Sequence, residues 1–135
     1  GGGVAHRLGL SESILIFEYH RIFFPSDEAF HEALAKIKKS NPEKKIVMEA
    51  ETIDQAVLFA SMGADILQLE KLPLSKLSDA VQRLRNDFPH LILIATGGIS
   101  AKNIAEYAGT GVDMIVTSSP YNANPADIKV TIEPL

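Results

Sequence analysis

The sequence predicts a parallel α/β fold, on three observations. Apolar runs of strand length alternate with segments of helical period along the chain, the runs are rich in Ile, Leu and Val as doubly buried strands are, and the connections between them are short. A closed eight-stranded barrel takes roughly 250 residues. The chain therefore reads either as a small open sheet or as most of an α/β barrel whose beginning is missing.

The elements follow in order. Strands are expected at 14–19, 46–51, 64–70, 91–96, 113–117 and 128–133. The first helix starts after Ser26 as N-cap, with Asp27 and Glu28 in its first turn, and offers Phe30, Ala33, Leu34 and Ile37 to the core. The second begins with a capping box, Thr52 and Gln55, and stops at Gly63, a natural left-handed residue. The third buries Leu74, Leu77, Val81 and Leu84 and ends before Pro89; the fourth opens at Ser100 and closes at Gly109. No linker or repeat interrupts this order, so residues 1–135 are expected to form one domain.

Composition narrows the function. A chain of 135 residues with 46% apolar and 22% charged residues suits one folded, soluble core. A net charge of −4 and scattered basic residues argue against a nucleic-acid surface, and the one basic cluster, 36–39, ends a helix whose dipole it complements. With no cysteine there is neither a disulfide nor a thiolate site. The apolar run 91–95 is far too short to span a bilayer, and the default expectation is the cytoplasm. No Ser-His-Asp or HExxH pattern is present. His31 and His90, on a polar helix face and in a loop, are expected to have no role.

In parallel α/β proteins, chemistry gathers where strands end. Here those positions hold Tyr19 and His20, Glu49 and Glu51, Gln68, Glu70 and Lys71, Thr96 to Gly98, and Thr117 to Ser119. Glu49 and Glu51 share one strand face, as do Gln68 and Glu70, while Leu67 and Leu69 take the opposite one. Three acids on neighbouring strand ends repel unless a cation neutralises them. Mg²⁺ suits carboxylates and phosphate substrates, whereas pairing with Lys71 or Arg7 is the alternative. The segment TGGIS, 96–100, joins a strand to a helix start and suits an anion, and Thr117 to Ser119 add hydroxyls on a neighbouring loop. His6 and Arg7 follow three glycines, and an arginine there suits a carboxylate or phosphate.

The stretches HRLGL…LIFEYH, IVMEAET, GADILQLEK, ATGGIS…NIAEYAGTGVD and ADIKV together resemble the C-terminal part of the quinolinate phosphoribosyltransferase (nicotinate-nucleotide pyrophosphorylase) family. Its usual pattern is HR-x-GL…LIK-[DE]-NH, VEVE, GAD-x-x-x-LDN, ASGGI…NI-x-x-YA-x-TGVD and a closing LDI. The resemblance implies an incomplete, TIM-barrel-like α/β barrel, of which this chain would be the C-terminal part. It implies transfer of a phosphoribosyl group from phosphoribosyl pyrophosphate, with Mg²⁺, to a nitrogen-ring acceptor. It further implies a homodimer, and that a piece lacking the preceding cationic segments is inactive alone.

By that resemblance His6 and Arg7 would hold the acidic substrate or the pyrophosphate. Glu49 and Glu70 would serve the ribose and the metal, and Thr96, Gly97, Gly98 and Ser118 the 5′-phosphate. Phe17, Tyr19 and Lys71 would complete the substrate-binding set. Phe17 stands where the family has lysine, Tyr19 for asparagine, Glu70-Lys71 for Asp-Asn, Thr96 for serine, and Ser118 where glycine is usual. Loss of that lysine weakens a dicarboxylate roughly 10- to 150-fold, so quinolinate itself is not the expected acceptor. These departures are similar to the family's ModD branch, associated with molybdate-transport operons. A non-catalytic protein that kept only the phosphate grip is the alternative.

Overall fold

The computed structural model describes residues 2–134. Its elements are β1 (Ile14–Ile16), α1 (Glu18–Arg21), α2 (Asp27–Ser40), β2 (Ile46–Ala50), α3 (Ile53–Ser61), β3 (Ile66–Glu70), α4 (Leu74–Asp87), β4 (Ile92–Thr96), α5 (Ile104–Ala108), β5 (Met114–Ile115) and a 3₁₀ turn (Ser119–Asn122). The five strands pair in parallel in the order β1-β2-β3-β4-β5. Right-handed crossovers through strands in sequential order place every helix on the same side of the sheet. That is the arrangement of an α/β barrel rather than of a doubly wound sheet, whose strand order reverses.

The core lies on the helix side. Ile16, Met48, Ala50, Leu67, Leu69, Leu93 and Ala95 face it and pack with Phe30, Leu34, Phe59, Leu77 and Leu84. The local signals hold: Ser26 Oγ accepts the Ala29 N–H, Thr52 Oγ1 accepts that of Gln55, and Gln55 Oε1 reaches back to the N–H of Glu51. Gly63 has φ +90°.

Three expectations need correction. The first strand stops at Ile16, because the Phe17 N–H is taken by His20 Nδ1 at 2.9 Å and the chain turns into α1. The run 128–133 is no strand; Ile128, Val130 and Ile132 are exposed, and alternation gives a ladder only where a partner edge is at hand. The fourth helix begins at Ile104 rather than Ser100, since the Asn103 side chain accepts the Ser100 N–H and holds 100–103 in a turn.

One device at the amino ends of the strands is built twice. Asp65 precedes β3 and accepts the Ile46 N–H of β2 at 2.8 Å, while Lys38 sits 3.6 Å from its other oxygen. Asp113 precedes β5 and accepts the Leu93 N–H of β4 at 2.7 Å, with Arg85 bound to it. Both follow a positive-φ glycine, Gly63 and Gly111. Burial pushes the Asp113 carboxyl up, but the Arg85 hydrogen bond, the Leu93 N–H and the Arg85 charge outweigh it and hold its pKa below the ordinary value.

Asp113→Ala strands the Leu93 N–H and is expected to cost roughly 2–3 kcal/mol at pH 7. A carboxylate with a depressed folded pKa contributes stability above its unfolded value near ~3.9, and that stability is lost as pH falls through the folded value. Urea unfolding at pH 7 and pH 3 should therefore show the gap between wild type and variant shrinking in acid.

Candidate active site at the carboxyl ends of the strands

The face of the sheet opposite the helices carries the candidate site residues of the strands. Strand pairing sets Glu49 beside Gln68, and Glu70 beside Thr96. Side chains two apart share a face, so Phe17, Glu49, Gln68, Glu70 and Thr96 all point away from the helices. The Cα atoms of Glu49 and Glu70, one strand and two residues apart, are about 8 Å from each other by strand geometry. Burial first, then the charges of Glu70 and Glu51, raise the Glu49 pKa, with Lys71 opposing them.

That raised value has a sign. The charged Glu49 works against the fold above its folded pKa, and the penalty fades as pH falls through it. Glu49→Gln is expected to stabilise the protein at neutral pH by less than about 1 kcal/mol, because solvent screens this half-exposed group. Thermal melts should show the gain disappearing in acid.

Glu70 is better enclosed, its side chain 14% exposed, and its Oε1 lies 3.0 Å from Lys71 Nζ. Lys71 has φ +53°, the one positive φ outside glycine among the described residues, and its N–H is held by the Thr96 carbonyl at 2.9 Å. Glu70's hydrogen bond and charge raise the Lys71 pKa, so it stays a cation.

Gly97 lies directly against this pair. A Cβ there would stand 2.6 Å from Glu70 Oε1 and 2.6 Å from Lys71 Cγ, and φ is +87°. Gly98 also has positive φ, +71°, but open space around it. The loop is braced from two sides: Asn103 Nδ2 donates to the Gly98 carbonyl, and Thr117 Oγ1 donates to that of Ile99 while accepting the Ser119 N–H. Ser118, exposed, therefore sits in a loop tied to the glycine loop. Since α5 is short and starts at Ile104, an anion here would be held by loop N–H groups and hydroxyls, not by a helix terminus.

The N-terminal segment reaches the same face. Gln68 Nε2 lies 3.3 Å from His6 Nε2, and Gln68 is only 4% exposed. Burial first, then the Arg7 charge, lower the His6 pKa and favour the neutral imidazole, whose tautomer sets which partner donates in this contact. Arg7 is half-buried beside it.

Of the expected residues, the fold gathers His6, Phe17, Glu49, Glu70, Lys71, Thr96, Gly97 and Gly98 at one end of the sheet. Tyr19 is not among them: the strand expected over 14–19 ends at Ile16, and Tyr19 lies in α1, 76% exposed. His20 takes that neighbourhood instead, its ring 5.9 Å from that of Phe17 and stacked at 29°. The bracing by Asn103 is not anticipated from the sequence, although an Asn three residues after Ser100, at a helix start, is the signal for it.

The two partly buried carboxylates fit Mg²⁺, which is commonly held by one or two carboxylates plus substrate phosphates. Among the described residues no group of three or more His, Cys, Asp or Glu forms a cage, so such an ion would share its coordination with the substrate. No helix among the described residues is long and apolar enough to cross a membrane.

Residues 1–131 match the family model for the quinolinate phosphoribosyl transferase C-terminal domain. The chain belongs to this family. It is 38% identical over 98% of its length to a protein of Escherichia coli O157:H7 named "Putative pyrophosphorylase ModD", covering 47% of that protein. To the nicotinate-nucleotide pyrophosphorylase [carboxylating] of Mycobacterium leprae it is 33% identical over 88% of the chain and 41% of the relative. The solved nicotinate-nucleotide pyrophosphorylase of Francisella tularensis superposes with a TM-score of 0.73 at 31% identity, over 85% of this chain and 39% of that one. The chain thus spans about half the length of the relatives it matches, and as a quinolinate phosphoribosyltransferase C-terminal domain it supplies part of an α/β barrel.

Proposed function

We propose that this domain carries most of the donor site of a phosphoribosyltransferase that uses phosphoribosyl pyrophosphate and a nitrogen-ring acceptor less acidic than quinolinate. The observation that supports it is the contact of Gly97 with Glu70, which joins an anion-suited loop to paired carboxylates at successive strand ends. A ring nitrogen donates its lone pair to the ribose C1 as the bond from C1 to the pyrophosphate oxygen breaks, and that oxygen leaves with the electron pair. Positive charge grows on the ribose, and Glu49 and Glu70 stabilise it electrostatically. The loop 96–98 and Ser118 hold the 5′-phosphate. Glu49 and Glu70 would also hold Mg²⁺, which when bound offsets the charge of the pyrophosphate. Phe17 and His20 present an aromatic wall where the family's lysine would meet a carboxylate, and a homodimer would complete the site.

Phosphorus NMR of the natural full-length protein tests this reading with phosphoribosyl pyrophosphate and Mg²⁺. The phosphate signals should shift on binding, and pyrophosphate should appear with a pyridine monocarboxylate but not with quinolinate. No shift at all would sink the reading, quinolinate turnover would overturn the acceptor assignment, and binding without turnover of any ring would favour a non-catalytic phosphate-binding protein.

A further inference from the structure

We propose that Lys71 is a resident counter-ion that exchanges partners: it neutralises Glu70 in the free protein and turns to the diphosphate of the substrate when that arrives. The inference rests on the donor-site reading above.

Three features carry it. The ion pair is lopsided, with the Glu70 side chain 14% exposed and that of Lys71 73% exposed, so the carboxylate is fixed and the cation is the movable member. The Lys71 main chain is pinned, because its N–H is bound to the Thr96 carbonyl, and only the flexible stem above it is free to swing. That stem passes the glycine loop, its Cγ 2.6 Å from where a Gly97 Cβ would be. One ammonium therefore stands between the acids of β2 and β3 and the anion loop after β4. A lysine in a left-handed backbone is itself unusual, since Gly and Asn adopt that conformation at lower cost.

The consequence is a coupling between metal and diphosphate. While Lys71 holds Glu70, a divalent cation competes with it for the carboxylate. Once Lys71 turns to the diphosphate, Glu70 is free for the ion. Diphosphate thereby promotes metal binding beyond direct bridging, and metal alone binds weakly.

Titration calorimetry on the natural full-length protein, with pyrophosphate and Mg²⁺ as probes, separates this from a structural role. The variant is Lys71→Asn, neutral and suited to the left-handed backbone. Its affinity for pyrophosphate in EDTA should fall roughly 10- to 150-fold, the worth of a charged hydrogen bond, while its affinity for Mg²⁺ alone should rise several-fold. Unchanged pyrophosphate affinity, or both affinities falling together, overturns the exchange. A wild-type protein that binds neither pyrophosphate nor phosphoribosyl pyrophosphate overturns the donor-site reading and this inference with it. Binding by wild type with no change in the variant sinks the inference alone.

Discussion

Gly97→Ala is expected to lower turnover by about 100-fold or more, with Gly98→Ala losing far less. Both glycines have positive φ, +87° and +71°, so either substitution meets the backbone cost of a left-handed non-glycine residue, roughly 1–2 kcal/mol. Only at Gly97 does the new methyl collide, 2.6 Å from Glu70 Oε1 and Lys71 Cγ and 2.8 Å from Glu70 Cδ. Overpacking of that kind adds roughly 1–3 kcal/mol. The carboxylate end is the softest of the three contacts and yields first. A displacement of about 1 Å in a positioned group costs on the order of 100-fold in rate. Comparing the two variants by urea unfolding and by kcat/KM removes the shared backbone cost and leaves the Glu70 contact. Equal losses in both would show that the contact has no functional weight.

The second large effect is expected from the carboxylates. Glu49→Gln and Glu70→Gln keep shape while removing charge, and loss of one preorganised electrostatic group slows turnover roughly 10²- to 10³-fold. Glu49→Gln should do so while raising thermal stability at neutral pH, because burial and the neighbouring acids already strain its charge. A variant that is more stable yet slower marks a group held at a cost for chemistry. Undiminished turnover in both variants would remove the carboxylates from the mechanism.

What was legible in the sequence was local. The Ser26 cap, the Thr52–Gln55 pair and the turn at Gly63 depend on residues within a few positions, and the alternation at Leu67, Gln68, Leu69 and Glu70 fixed which face each takes. Placing candidate groups at strand ends followed from the parallel architecture, and the fold does set Glu49, Glu70 and the glycine loop together at that end. Elements that depend on a partner were not legible. The 128–133 run alternates as a strand should, yet no strand pairs with it among the described residues. Tyr19 left the sheet because the His20 ring competes for a main-chain N–H, and nothing in apolar periodicity registers such a competitor. Pairing of an acid with Lys71 was legible as the alternative to a bound cation, and Glu70 makes that pair; the left-handed turn just after the strand that positions it was not.

The doubled aspartate device bears on how the sheet assembles. Each copy closes a unit whose partners are near in sequence, with separations of 19 residues for Asp65 and 20 for Asp113. Short closures carry a small entropy cost, whereas parallel sheets as a class form slowly because their pairings are distant. Folding should therefore nucleate from either half, β2–β3 or β4–β5. Stopped-flow refolding of Asp65→Ala and Asp113→Ala should show each alone slowing folding mildly and the two together far more than the product of the single effects. A chain built with two starting points tolerates damage to one of them, which frees the loops at the opposite end to vary with the substrate.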